Sequence, residues 1–232
     1  MINSEISEQL ALMQLSDSFF PTGSFTFSHG LETLVQTGKI QSKPEILYFL
    51  QILLRNKVGV SDVVALIHSY RGCKNGNIEA VRVADRMLFV QTAIAKNRET
   101  QRQSGRALLM VASSTWQDER LKILNQEAVS RKIHCLHPVI FGAVTSVVGL
   151  KERNAVLAFL HGLVTGVLGA AIRLGILGHI QAQQILLQLV PDIEAVWSTA
   201  VSMNLEQMWS CTPFIDIAQM QHPKLAQKLF AN

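Results

Sequence analysis

Apolar residues recur at helical spacing in the N-terminal segment of the chain. Ser4 is a candidate N-cap, because its hydroxyl can accept a backbone N–H of the first turn. Ile6, Leu10 and Met13 then fall on one face. The pattern predicts a helix that buries this stripe.

The same spacing continues through the first third of the chain. Phe27, Leu31 and Leu34 share a helical face, and Gly38 is a typical residue at which such a helix ends. This predicts a helix from Phe27 onward that includes His29. The other predicted boundaries are helix starts at Pro44 and Ser61, a helix end at Gly72, a loop over residues 71–77, and a break at residues 113–115 before Trp116.

The chain becomes apolar on nearly all sides after Pro138, which for a helix predicts burial all round. Residues 155–172 contain no Asp, Glu, Lys or Arg, and this length raises the question of a membrane span. His161 and Thr165 inside the stretch, and Arg173 at its end, favour buried helices of a compact fold instead.

Alternation of period two is absent, and so is the turn chemistry of hairpins. The predicted fold class is therefore all-α, a single-domain multi-helix bundle over residues 1–232 with buried central hydrophobic helices. Hydrophobic residues make up 48% of the chain and charged residues only 16%. We expect this apolar excess to lie inside the fold or against a partner, which favours an oligomer or a stable complex.

Cysteine usage bears on the location of the protein, and charge bears on its kinds of binding partner. The three cysteines form no CxxC pair, and the N-terminus has no basic residue before its apolar stretch, so we expect a reducing, cytoplasmic location. The net charge of +4 is concentrated in residues 71–132, where 12 Lys and Arg stand against 6 Asp and Glu. Such a segment can bind nucleic acid, nucleotide or an acidic protein face, or can simply be a solvated helical surface.

Residues of the types that bind metals cluster once, at His134, Cys135 and His137. Nitrogen and sulfur donors suit nickel, zinc or copper, so these three are weak candidate ligands. The alternative is a loop that leads into the buried helix at Pro138. The common sequence motifs of nucleotide-binding, metalloprotease and hydrolase sites are absent, so the sequence indicates no catalytic residue and no cofactor.

Arginines provide the other candidate contacts. Arg98, Arg102 and Arg106 lie one turn apart on one helical face, where they can grip phosphates or a carboxylate-rich partner. Few aromatic residues lie near them, so a protein is favoured over nucleic acid, and an ordinary exposed row is the alternative. Arg173 lies in the most apolar part of the chain, where it either reaches helix-end carbonyls or makes a functional contact.

Five blocks in order resemble the UreF family of urease accessory proteins. The first, LMQLSDSFFPTGSFTFSHGLE, resembles the family signature LPxGxFxxSxGLE, and the last, TPFIDIAQMQHPKLAQKLF, resembles PxxDIxxMxHExLxxRLF. Between them lie RETQRQSGRALL, HPVIFGAV and RLGILGHIQAQQIL. The chain departs from the family pattern at Phe20, Lys96, Ile176, His179, Pro223 and Lys228.

The resemblance implies an all-helical, non-enzymatic protein, usually a homodimer, without a cofactor. It also implies binding to a UreD/UreH-type accessory protein and to a UreG-type GTPase, whose recruitment and regulation serve nickel insertion into apo-urease (UreABC), with no nucleic acid and no membrane involved. The alternative function is a nickel-binding metallochaperone that uses His134, Cys135 and His137. The resemblance and the arginine row together give the candidate partner-binding residues. Arg102 comes from the row, and the resemblance implies Pro21, Gly23, Gly30, Glu32, Arg98, Gly105, Arg173, Gly178, Asp216, His222, Leu229 and Phe230.

Overall fold

The computed structural model describes residues 4–17, 20 and 27–231. All regular structure in these ranges is helical, which confirms the all-α fold class. The helices are α1 (Ser4–Ser16), α2 (Leu31–Gln36), α3 (Lys43–Leu53), a π segment (Leu54–Asp62), α4 (Val63–Lys74), α5 (Ile78–Gln91), α6 (Ala95–Thr115), α7 (Glu119–Val129), α8 (His137–Val148), α9 (Glu152–Arg173), α10 (His179–Gln188), α11 (Val190–Ala200) and α12 (Pro213–Gln221), with 3₁₀ turns at Leu205–Gln207 and His222–Lys224.

The centre of the fold is the packing of α8 against α4. Gly142 allows the two helices to lie close together, because a Cβ atom at this position would lie 2.3 Å from the carbonyl oxygen of Leu66. The Ser69 hydroxyl donates to the carbonyl oxygen of Val139 at 2.6 Å, so the polar groups at the crossing are paired. The predicted burial of a hydrophobic central helix is therefore confirmed for α8.

Burial of α9 is less complete than predicted. Val156, Leu160 and Val164 are fully buried, whereas His161 is exposed and Thr165 is half-buried. The helix is long and apolar enough to cross a membrane, but 61% of its most apolar 18-residue stretch is buried against the rest of the chain. It packs on α1, α8 and α10, so its composition is that of a core helix with one outward face.

Two predicted boundaries are wrong because α3, the π segment and α4 form one continuous helix. Ser61 lies inside the π segment, and the helix runs through Gly72 to Lys74. Gly72 is instead a contact point with α5, since a Cβ there would lie 2.9 Å from Cβ of Ala80. The predicted loop shrinks to residues 75–77.

The π segment attaches the chain's C-terminal third to the core. In a π-helix each backbone hydrogen bond spans one residue more than in an α-helix, and some carbonyl groups are left free to accept from other donors. The carbonyl oxygen of Asn56 accepts from the Cys211 N–H at 2.9 Å, and that of Val60 accepts from the Trp209 N–H at 3.3 Å. Gly59 allows α11 to approach, because a Cβ there would lie 2.8 Å from a methyl carbon of Val196.

Other predicted helix ends can be compared directly. The start at Pro44 and the break after Thr115 are confirmed. The start at Phe27 is wrong, since α2 begins at Leu31. His29 and the residue after it have φ of 52° and 89°, so the chain turns here and His29 is not helical.

The predicted burial of the α1 stripe is also wrong. Ile6, Leu10 and Met13 are 53%, 61% and 67% exposed. α1 packs on α9 through another face, which buries Ala11 and Leu15. The apolar stripe is left on the surface.

Candidate interaction surfaces

Glu32 holds the C-terminal segment of the chain against α2. Its carboxylate is completely buried, with Oε2 2.7 Å from Nε2 of His222 and Oε1 accepting the backbone N–H of Leu229 at 2.6 Å. The Gln36 amide donates to the same Oε1 at 3.3 Å and to the carbonyl oxygen of Gln227 at 3.1 Å. A buried carboxylate with this many donors fixes the geometry of what it binds.

Gly30 allows α12 to lie close to the start of α2. A Cβ at Gly30 would stand 3.0 Å from Cγ of Gln219 and 3.2 Å from the carbonyl oxygen of Ile215. Its φ of 89° is also one that residues with a side chain rarely adopt. The glycine and the carboxylate two residues later thus position the same C-terminal elements.

The C-terminal elements held in this way expose large apolar side chains. We name the exposed residues of this region the C-terminal apolar surface. Asp216, which the resemblance places in partner binding, lies at its edge, where Oδ1 is 2.7 Å from Nζ of Lys57. The surface consists of Phe214, Ile217, Met220 and Leu229.

Arg173 lies at the surface at the end of α9, so the expectation of an arginine in apolar surroundings is corrected. Its Nε donates to the carbonyl oxygen of Gly169 at 3.2 Å, which fits the first of the two alternatives for this residue, a contact with carbonyl groups near the helix end. Its guanidinium lies 4.5 Å from the ring centre of Phe230, which is buried. Gly178 is exposed where α10 begins. The Arg173 end therefore adjoins the anchored C-terminal segment.

The arginine row of α6 lies on the surface of that helix. Arg106 is exposed, while Arg98 and Arg102 are half-buried. Arg98 donates to the carbonyl oxygen of Thr92 at 3.1 Å, and Arg102 lies 3.3 Å from the carboxylate of Glu99.

Gly105 is buried beside this row on α6. A Cβ there would stand 2.0 Å from the carbonyl oxygen of Cys135, so α6 and the chain before α8 touch backbone to backbone. The contact needs a residue without a side chain.

The weak metal candidates do not converge. The His134 ring stacks on Phe89 with centres 3.6 Å apart, and burial raises the pKa of the Cys135 thiol to about 12. The His137 ring lies between Phe141 and Phe159, and burial lowers its pKa to about 4. Within the described ranges, no three His, Cys, Asp or Glu side chains are grouped to hold a metal ion.

Sequence reasoning missed a polar interior beside α2 and the π segment. Burial raises the pKa of Asp62 to about 6, against the opposing effects of the Lys57 charge and of a hydrogen bond from Gln101. Burial, with Lys57 adding to it, lowers the pKa of His29 to about 4. The sequence did contain a signal for this interior, because Asp62 is an acidic residue within the apolar run VGVSDVVALI.

Comparison with known proteins decides the family. The family model described as UreF matches residues 40–190. A protein of Trichodesmium erythraeum named urease accessory protein UreF is 95% identical over 232 residues, the whole of both chains. The chain belongs to the UreF family. Proteins of the same name from a Bradyrhizobium species and, as UreF 1, from Brucella melitensis are 30% and 28% identical over 223 residues, which cover 94% and 96% of this chain and 90% and 92% of the relatives.

The UreF signature positions divide by burial. The buried ones are Gly30, Glu32, Gly105, His222 and Phe230, so they act within the chain and position what lies above them. Pro21 and Gly23 lie outside the described residues. Contact of the signature positions with partners remains a prediction. The exposed or half-buried ones are Arg98, Arg173, Gly178, Asp216 and Leu229, and Arg102 of the arginine row is half-buried as well.

Proposed function

We propose that the chain is a non-catalytic scaffold in urease maturation. In this proposal it binds a UreD/UreH-type accessory protein and recruits and regulates a UreG-type GTPase during nickel insertion into apo-urease. The observation that carries it is 95% identity, over the full length, to a protein named urease accessory protein UreF. The scaffold holds no cofactor, binds no nucleic acid, does not enter the membrane and acts in the cytoplasm.

The UreD/UreH-type protein is proposed to dock on exposed apolar residues near the two chain ends. These are the α1 stripe of Ile6, Leu10 and Met13, and the C-terminal apolar surface. Contiguous apolar side chains on a protein surface are typical of protein interfaces. The Glu32 contacts support this assignment, because they order the C-terminal segment before a partner arrives.

The GTPase is proposed to contact two regions. One is the C-terminal end of α9 at Arg173, and the other is the basic segment of residues 71–132, called the basic middle below. Arg173 is exposed and is held over Phe230, so its guanidinium is positioned with little loss of side-chain entropy on binding. The basic middle adds long-range attraction to an acidic partner.

A homodimer is proposed to form through the outward face of α9. His161 is exposed on this helix, and Thr165 and Gly169 are half-buried in a helix that is otherwise packed in the core. Small side chains allow a second helix to approach closely. The apolar composition of the chain is in keeping with such an interface.

Co-expression tests the proposal directly. The tagged chain is purified with the UreD/UreH-type and UreG-type proteins of the same organism, and apo-urease is then supplied with nickel and GTP. We expect a complex that contains all three proteins, and urease activity that falls when any one is omitted. A wild-type chain that binds neither protein contradicts the proposal.

A further inference from the structure

The chain between α7 and α8 contacts both α5 and α6 and brings their surfaces together. On the α5 side, Asp85 accepts the backbone N–H groups of His134 and, at 2.9 Å, of Leu136. On the α6 side, Gly105 touches the carbonyl group of Cys135. The residues beside Asp85 and beside Gly105 therefore lie near the same short segment.

Four arginines lie next to those positions or within two turns of them. Arg86 follows Asp85 on α5, and Arg98, Arg102 and Arg106 form the row on α6. We name these four residues the arginine surface. Its charge reaches the imidazole in the segment between the helices: burial lowers the pKa of His134, and Arg102, Arg86 and Arg98 add to the effect against the opposing charge of Asp85.

Little of this charge is neutralised within the described part of the chain. Arg102 has a carboxylate of Glu99 at 3.3 Å, but Arg86 and Arg106 are exposed and have no ion pair there. Arg82, one turn before Arg86, shows the contrast, because it is paired with two carboxylates. The fold thus leaves a local excess of positive charge on one surface.

The shape of the arginine surface favours a polypeptide. None of the cavities described for this chain is lined by its arginines, whereas sites for small anions are concave. Val90 and Met110 are 72% and 62% exposed, and each lies one turn beyond an exposed arginine, Arg86 and Arg106 respectively. Stacking of nucleic-acid bases would need a free aromatic ring, and Phe89 is already covered by an imidazole at 3.6 Å.

We propose that the arginine surface binds an acidic segment of the GTPase, with carboxylates on the guanidinium groups and apolar side chains on Val90 and Met110. The inference rests on the proposed function and names the chemistry of one of its contacts. Guanidinium groups suit this role because their planar donors match a carboxylate in two-point contact.

The test reverses the two exposed charges. Full-length chain with Arg86→Glu and Arg106→Glu is titrated with the purified GTPase and, separately, with the UreD/UreH-type protein. We expect GTPase binding to weaken at least about tenfold and to lose much of its salt dependence, because acidic groups then face each other. Binding of the UreD/UreH-type protein and the melting temperature should not change. The milder pair Arg86→Gln and Arg106→Gln should give an intermediate loss.

A control makes the same charge change outside the basic residues 71–132, with Lys43→Glu and Lys151→Glu, and should bind the GTPase like wild type. Equal binding by the Arg86→Glu, Arg106→Glu chain, or an equal loss in the control, overturns this inference and leaves the proposed function standing. Wild-type chain that does not bind the GTPase overturns the proposed function and the inference with it. Charge reversal that abolishes binding of a single-stranded oligonucleotide but spares the GTPase assigns the surface to nucleic acid and overturns the acidic segment.

Discussion

Glu32 is the residue on which the C-terminal segment depends. Replacing it by Ala leaves the His222 imidazole and the Leu229 N–H without their buried acceptor. Removing one partner of a buried, charge-assisted network costs about 2–4 kcal/mol of unfolding free energy. We expect a loss of this size for Glu32→Ala in urea denaturation, together with faster proteolysis of the C-terminal residues.

The control for this prediction is Glu99→Ala, which removes an exposed carboxylate that pairs with Arg102 and accepts from the Gln103 amide. Surface changes of this kind stay within about 0.5 kcal/mol. If the two alanine variants unfold alike and resist protease alike, Glu32 does not hold the segment.

Asp62 gives a prediction about pH. Its pKa is raised from 3.8 to about 6 by burial, so the folded chain binds its proton more tightly than the unfolded chain does. Stability from this group is complete below about pH 4 and is lost as the pH rises through about 6. Asp62→Asn keeps an oxygen that accepts from the Gln101 amide. We expect it to raise the unfolding free energy by about 1–3 kcal/mol at pH 7 and to leave it unchanged near pH 4.

Asp118→Asn is the matched control of opposite sign. A hydrogen bond from the Arg120 side chain lowers the pKa of Asp118, so this carboxylate stabilises the fold above its unfolded pKa. The variant should be less stable than wild type at pH 7. Parallel stability profiles for wild type and Asp62→Asn between pH 4 and pH 7 would contradict the account of Asp62.

The importance of single residues could be predicted from the sequence when a motif formed with their neighbours along the chain marked them. The first family block marked Glu32 and the last marked His222, but nothing local showed that they meet, since 190 residues separate them. His134, Cys135 and His137 show the reverse error. Their closeness in sequence indicated shared ligation, yet a positive φ of 66° at Cys135 helps turn them into different surroundings.

At the scale of elements, α6 depends on one backbone contact. Gly105→Ala places a methyl group where the Cys135 carbonyl oxygen already lies, so the helix must move away. Overpacking costs about 1–3 kcal/mol, and the rigid backbone at this contact favours the upper end of that range. We expect a loss of that size in thermal unfolding of the purified chain.

Gly162→Ala is the matched change without such a contact, because no other described part of the chain comes within 4 Å of the added carbon, its own helix apart. Alanine favours helix over glycine by about 1 kcal/mol. This variant should be as stable as wild type or more so, at a protein concentration where the chain is monomeric. Equal losses at both glycines would show that helix propensity, and not contact with Cys135, decides the effect at Gly105.

The positions of helices could be predicted from the sequence, but what each helix packs against could not. The start at Pro44 and the break after Thr115 follow from residues within one turn of the boundary. Ser61 looks like an N-cap, but carbonyl groups freed in the π segment bond to residues about 150 positions later, so the helix continues. The α1 stripe has the pattern of a core face, and a sequence pattern alone does not distinguish an apolar face for the core from one for a partner.

At the scale of the whole molecule, that exposed stripe leads to a prediction about assembly. Replacing Ile6, Leu10 and Met13 by Gln keeps good helix formers at exposed positions and removes the apolar side chains. We expect an unchanged melting temperature and at least about tenfold weaker binding of the UreD/UreH-type protein, measured by titration, since interface energy is concentrated in a few apolar anchors.

The control replaces three other exposed apolar residues, Val129, Ile180 and Leu187, by Gln. It should bind the UreD/UreH-type protein like wild type. An equal loss in both triple variants would mean that general surface hydrophobicity, and not the α1 stripe, drives binding.

The order in which the chain is made gives the Glu32 contacts a further consequence. The backbone N–H of Leu229 lies 197 residues after Glu32. At translation rates of about 5–20 residues per second, α2 is synthesised roughly 10–40 s before that donor exists. During this time the Glu32 carboxylate lacks the partners that allow its burial. The C-terminal segment therefore closes onto α2 only after Leu229 has been made, and a product truncated before Leu229 lacks this step of folding.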